Sequence, residues 1–261
     1  MSNSPIINID LDEKFDHLTK APIVEAVIDF RARAEADWIE GPITESLKSQ
    51  LPDYPQKQSL SGFQREFTVT PGGPPNARTI ETGWNGLRFQ TEDSLHIALF
   101  HREGFSFSRL HPYDRWEQLL HEALRLWQMF EDVAKPTEIQ RLGLRYINRI
   151  KVPKAGFPLA DYLASTPQVP DELPLPIQHF FHQDVLGVPG YPYAVRVIRT
   201  LQPEPGPDTS SMGLILDIDV FSMQPFAYNL ATVERQLWEM RWLKNKMFWG
   251  SLTSKAVESF R

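Results

Sequence analysis

Three arginines recur at every fourth position in RLGLRYINRI (141–150): Arg141, Arg145 and Arg149. In an extended chain, side chains alternate between faces, so these guanidiniums share one face, about 13 Å apart at ~3.3 Å per residue. Leu142, Leu144 and Tyr146 share the other. A guanidinium is a planar fork of donors that matches a carboxylate or phosphate, so the row is suited to holding an anion. LILDIDVF (214–221) carries the complement, with Asp217 and Asp219 on one face and Leu216, Ile218 and Val220 on the other. Arg196 lies within AVRVI (194–198), and Asp29 and Arg31 share a face of a third segment. Two chemistries fit these residues. Cross-strand ion pairing on an exposed sheet face needs no ligand and is the simpler. In the other, Arg141, Arg145, Arg149 and Arg196 clamp an anionic ligand, and Asp217 or Asp219 serves as general base.

Other constellations carry less. HFFHQD (179–184) brings His179, His182 and Asp184 together, and on a helix the two histidines would lie one turn apart, in reach of zinc or iron. No further strong ligand follows nearby, so polar loop groups beside Phe180 and Phe181 are the simpler account and no metal site is assigned. HEALRLW (121–127) begins like a zinc-protease helix, but Arg125 stands where the second histidine is required. His96 and His101 fall on opposite faces of one strand and form no pair. Phosphate-loop, dinucleotide-binding and nucleophile-elbow patterns are absent, and no cofactor is indicated. With no cysteine, disulfides, thiolate zinc sites and cysteine nucleophiles are excluded.

The elements that position these residues are read from hydrophobic period. PIVEAVIDFRA (22–32) alternates, with Val24, Ala26, Ile28 and Phe30 on one face. GPITESLKSQL (41–51) has Ile43, Leu47 and Leu51 at helical spacing. Strands are expected at FQREFTVT, GLRFQTE, LHIALFH and GFSFSRL, the first two separated by PGGPPNA (71–77), with REG (102–104) as a hairpin turn. A long amphipathic helix follows over 112–133, with Asp114 as N-cap and Glu117 completing a capping box. The order then recurs: a strand over 139–152, a short helix over 158–166, a Pro-rich excursion (167–192), strands over 193–202 and 212–223 separated by PEPGPDTS, and a helix over 229–252 capped by Asn229. The expected fold is therefore α+β, a twisted antiparallel sheet backed by two long helices. It is read as one domain of two packed pseudo-repeats, about 20–135 and 136–252. The strand and helix order resembles TATA-binding-protein-like and related helix-backed sheets, a likeness of fold that carries no function.

The 261 residues suffice for a sizeable core, and 41% are hydrophobic. The net charge of −6 argues against a general nucleic-acid binder, and single-stranded nucleic acid on an Arg and aromatic face is weakened for the same reason. The first residues lack a basic start followed by an apolar run, and no stretch approaches the roughly 18 apolar residues of a membrane span. A cytoplasmic location without membrane partners is expected.

APIVEAVIDFR, RLGLRYINRI and KNKMFWGSLTSKAVESF, in this order and at these distances, resemble a sporadically distributed family of uncharacterised prokaryotic proteins. The resemblance spans nearly the whole chain. It implies a prokaryotic cytoplasmic protein, and sporadic distribution suggests a mobile or defence-related locus with a protein partner. No site residue follows from it. The expected function is a non-catalytic binding or protein-interaction module that uses the open charged sheet face. The alternative is an enzyme or binder acting on a small phosphorylated or carboxylated metabolite.

Overall fold

The computed structural model describes residues 7–68, 76–154, 156–173, 175–205 and 210–261. The alternating segment near the N-terminus forms β1 (Ile23–Arg31), with Ala26, Ile28 and Phe30 buried and Arg31 exposed. Helix α1 (Glu40–Gln50) follows, seated by Ile43 and Leu47. A meander comes next: β2 (Gln56–Thr68), β3 (Asn76–Gln90), β4 (His96–His101) and β5 (Gly104–Leu110). Strands β2 and β3 make a longer hairpin than the sequence suggests, and only Gly86–Gln90 of β3 pair with β4. Most of the PGGPPNA and PEPGPDTS separators lies outside the described residues.

Helix α2 (Trp116–Ala134) leads into β6 (Arg141–Pro153), and the chain then runs through β7 (Phe181–Gly187), β8 (Tyr193–Pro203) and β9 (Ser211–Ser222). It ends in α3 (Leu230–Ser251) and α4 (Ser254–Glu258). The fold is α+β, with a nine-stranded open sheet ordered β2-β3-β4-β5-β1-β6-β9-β8-β7. Every recorded strand pairing is antiparallel. Among the described residues, no helix is long and apolar enough to cross a membrane.

The core lies between the helices and one sheet face. Phe30 of β1 stacks on Trp127 of α2 with ring centroids 4.3 Å apart, and Phe130 packs against Phe105 of β5. Val233, Leu237, Met240 and Leu243 bury the inner side of α3. Glu239 is buried among them, accepts from the Tyr193 hydroxyl of β8, and pairs with Arg235 at 2.8 Å. Ionisation of Tyr193 is suppressed by burial and by that carboxylate.

Four local expectations are corrected. Asp114 does not cap α2: Arg115 occupies the N-cap position without a side-chain bond, and the Asp114 carboxylate lies 3.5 Å from Arg109. The helix expected over 158–166 shrinks to a single 3-10 turn, Leu159–Asp161. Its backbone bonds go elsewhere, Ala164 N–H to Ser251 O at 3.0 Å and Thr253 N–H to Tyr162 O at 3.0 Å, while Leu163 bridges Leu252. Strand β7 arises inside the Pro-rich excursion, where no strand is expected, because an exposed edge strand shows no alternation of burial. Leu230, at helical spacing from Val233 and Leu237 in the sequence and so expected on the apolar side of α3, is 50% exposed. Asn229 does cap α3, its side chain accepting from Thr232 N–H at 3.0 Å.

Candidate functional site

The sheet face away from the helices carries Arg141, Arg145, Arg149, Arg196, Asp217 and Asp219, with Asp29 beside them. Strand β6 pairs with β1 on one side and β9 on the other, setting Arg145 opposite Asp219 and Arg141 opposite Arg31. Each arginine then reaches to a carboxylate along the strand. Arg141 bridges two, Asp29 Oδ1 at 2.8 Å and Asp219 Oδ2 at 2.8 Å. Arg145 grips Asp217 with both arms, Nε to Oδ1 at 2.8 Å and Nη2 to Oδ2 at 2.5 Å. Arg149 binds Glu204 at 3.3 Å and donates to the Pro203 carbonyl at 2.7 Å. Arg196 lies 3.6 Å from Asp219, and both it and Arg141 lean over the Phe221 ring.

Two glycines let these side chains lie flat. A Cβ at Gly143 would come within 2.6 Å of the Arg141 guanidinium, and one at Gly213 within 2.6 Å of that of Arg149. Asp217 and Asp219 are buried beneath the arginines, and burial holds the Asp219 carboxyl above its usual range despite its cationic neighbours. Every arginine of the row therefore has an acceptor already. An incoming anion would have to displace these carboxylates.

HFFHQD does not form a helix. In β7, His182 Nε2 binds Asp184 Oδ1 at 3.0 Å and Arg199 takes the second oxygen, so the aspartate closes a cross-strand cluster. Among the described residues, no group of three metal-binding side chains converges. Arg125, at the position that spoils the zinc-protease pattern, forks onto Glu122 at 2.8 and 2.6 Å, and Glu122 also accepts from the Tyr54 hydroxyl at 2.7 Å. That corner is structural.

The helix side holds a site that sequence reading missed. The N-terminal segment runs across α3 and the C-terminal turn as a strap. Glu13 accepts from Trp242 Nε1 at 2.7 Å and pairs with Lys246 at 2.9 Å, and Lys20 N–H donates to Phe260 O at 2.9 Å. Between strap, α3 and the start of α2 is a cleft of about 290 Å³. Tyr146 and Asn148 of β6 reach it from the sheet, Tyr113, Arg115 and Trp116 from the start of α2, and Arg241, Lys244 and Asn245 from α3.

Three carboxylates and three cations line it, but among the described residues they are not paired with one another. Of its lining carboxylates, Asp16 is taken by Arg261 at 3.0 Å and Asp114 by Arg109, which leaves Glu117. No carboxylate pairs with Arg115, Arg241 or Lys244 among the described residues. Arg241 instead lies over the Trp238 and Trp116 rings, and Lys244 Nζ lies 3.9 Å from the centre of the Tyr146 ring. Partial burial, with Arg241 one turn away, pulls the Lys244 ammonium down to about 7. Tyr146 and Tyr113 share a hydroxyl hydrogen bond of 2.8 Å, and burial pushes Tyr113 up to about 12 and Tyr146 well above its usual value. At neutral pH the cleft therefore holds protonated phenols beside an amine close to its midpoint.

A signal for this site was present in α3. Lys244 is four residues after Met240 and four before Phe248, both buried, so it continues the inward line of the helix. Its neighbour Lys246 points out to Glu13. A second concavity, about 890 Å³ beside the Pro-rich excursion, is walled mainly by prolines and aliphatic groups, with Lys154 its one charged lining residue among those described. It offers little to fix a charge.

Lys244 makes stability depend on pH in a definite direction. Its folded value lies below its unfolded value, so between about 7 and 10.5 the unfolded chain binds more protons and stability rises with pH. Lys244→Met is expected to be more stable than the parent at pH 6, by on the order of 1 kcal/mol after discounting for solvent screening, and the gap should close towards pH 10. Urea denaturation at the two pH values measures it.

A scan against protein-family models finds no match, and searches of curated proteins and of solved structures find none either.

Proposed function

We propose that this protein binds a small anionic metabolite, a carboxylate or a phosphate, in the cleft between the N-terminal strap, the start of α2 and the second half of α3. The observation that carries this reading is the convergence of Arg115, Arg241 and Lys244, none with a carboxylate partner among the described residues, on an aromatic-walled cleft of about 290 Å³. Tight pairing of the sheet-face arginines favours the cleft over that face as the anion site. A cation seated beside aromatic walls and amide groups has the ordinary make-up of a small-molecule site. Thermal unfolding in the presence of phosphate, pyruvate, 2-oxoglutarate and nucleoside monophosphates tests it. At least one should raise the midpoint by several degrees, and the rise should vanish in Arg241→Met. A panel without effect on the parent protein would overturn the reading.

A second reading keeps the open sheet face as a docking surface for a protein partner in a non-catalytic module. It is favoured by Arg145 and Arg196, whose side chains are 46% and 42% exposed and offer charge without losing their carboxylates. Binding of a neighbouring gene product that Arg145→Glu abolishes would support it, and self-association alone would count against it. A prokaryotic cytoplasmic setting and a mobile or defence-related locus go with this reading through the family resemblance.

A duplicated architecture belongs to the same proposal. In support, β1 and β6 lie side by side at the centre, flanked by β5 and β9, and each of those flanking strands precedes a long helix, α2 or α3. Such halves, about 20–135 and 136–252, would make one domain of two pseudo-repeats in a TATA-binding-protein-like arrangement.

A further inference from the structure

Building on the anion reading of the cleft, we infer that its ligand is a 2-oxo acid and that Lys244 condenses with the ligand's carbonyl to form a Schiff base. Three features of geometry carry this. Lys244 is directed inward from α3 to the Tyr146 ring and is not held as an ion pair among the described residues, so its nitrogen is not committed to a carboxylate. The Tyr113 and Tyr146 hydroxyls, 2.8 Å apart, put a proton-donating pair in the wall of the same cleft. Arg241 lies one helical turn from Lys244 and lines the same cleft, which offers a guanidinium for the ligand's carboxylate beside the amine that meets its carbonyl.

Of the groups around Lys244, Arg241 and Arg115 disfavour its charge, while the Tyr146 ring and the Glu117 carboxylate favour it. From α3, Arg241 disfavours a second cation, and the buried phenols of Tyr113 and Tyr146 bring no negative charge. Arg115 adds positive charge at the start of α2, where Glu117 has no ion-pair partner among the described residues. On the strap, Asp16 is held by Arg261 and His17 completes the lining. The Tyr146 ring face also favours the ammonium. At neutral pH a large fraction of the amine is therefore unprotonated and nucleophilic.

The step balances without a further reactant. The Nζ lone pair attacks the carbonyl carbon, a C–N bond forms, and the carbonyl π electrons move to oxygen, which takes a proton from the Tyr113–Tyr146 pair. The attacking nitrogen loses a proton, which restores that pair. The carbinolamine hydroxyl takes a proton from the Tyr113–Tyr146 pair and leaves as water while the nitrogen lone pair closes the C=N bond, and the iminium N–H then returns its proton to that pair. Amine and ketone give imine and one water, and no electron is gained or lost overall.

Incubation of the full chain with pyruvate or 2-oxoglutarate and cyanoborohydride at pH 7.5, followed by intact mass and peptide mapping, tests the inference. Calorimetric titration with the same two acids runs alongside. The expected result is one reduced adduct per chain, mapped to Lys244, with exposed lysines such as Lys255 modified at least tenfold more slowly. Lys244→Met should lose the adduct and bind the acid more weakly, Lys244→Arg should keep the binding and still lose the adduct, and Arg241→Met should slow trapping by weakening the carboxylate contact. Heat of binding with no adduct at Lys244, or adducts spread evenly over surface lysines, would overturn the Schiff base and leave the anion site standing. No binding of either acid where phosphate does bind would overturn the ligand class. No binding of any small anion would overturn both.

Discussion

Arg141→Met is expected to destabilise the protein by about 3–5 kcal/mol at pH 7.5, because it removes the shared partner of two carboxylates and leaves one of them buried. Arg141 holds Asp29 and Asp219 at 2.8 Å each; Arg196, at 3.6 Å and half exposed, and Arg145, already bound to Asp217, would remain near Asp219. The Asp219 carboxyl already lies above its usual range through burial, and loss of Arg141 raises it further. The sign of the pH response follows. The folded variant takes up a proton that the unfolded chain lacks, so its stability increases as pH falls from neutrality towards the ordinary carboxylate range. Urea denaturation at pH 7.5 and pH 5 should show the deficit shrinking at the lower pH. Adding Asp219→Asn to Arg141→Met should recover a large part of it, since the stranded charge is then gone.

Trp127→Ala carries the second large effect, a loss of about 3–5 kcal/mol. Trp127 is fully buried where α2 meets the sheet, stacked on Phe30 at 4.3 Å and packed against Phe130 at 5.3 Å and Tyr228 at 5.6 Å. Removing the indole takes contacts from β1, from its own helix and from the segment before α3 together, and the fixed sheet behind it limits collapse into the space. Trp127→Phe should restore most of the loss. Chemical denaturation of the three proteins gives the comparison.

The charged face was legible because period-2 alternation assigns each side chain of a strand to one face. Leu142, Leu144 and Tyr146 are buried as parity requires, and Arg141, Arg145 and Arg149 lie together on the far side with Asp217 and Asp219. Parity does not give register, so which arginine takes which aspartate could not be read. The bridge from Arg141 to both Asp29 and Asp219 depends on β1 and β9 flanking β6, a non-local fact. Strand β7 escaped because an edge strand exposed on both faces has no burial period to reveal it. The capping box at Asp114 did not form: the helix starts one residue later, with Arg115 at the N-cap and the Asp114 carboxylate turned towards Arg109.

The cleft was the harder feature to foresee. Its walls come from the strap, β6, the start of α2 and α3, four segments spread over almost the whole chain. Tyr146 was placed correctly on the core side, but a buried tyrosine needs a partner for its hydroxyl, and here that partner is Tyr113. Lys244 broke an otherwise apolar line on α3, the local trace the site leaves in sequence.

Lysine side-chain NMR on protein carrying labelled lysine ε-carbons reads the site most directly, with Lys244 assigned by the loss of its signal in Lys244→Met. The Lys244 resonance should titrate near pH 7, far below the other lysines, and should move on addition of phosphate or pyruvate while the signal of Lys255 stays in place. A Lys244 signal that titrates above pH 10 and ignores both anions would contradict the placement of a binding site in this cleft.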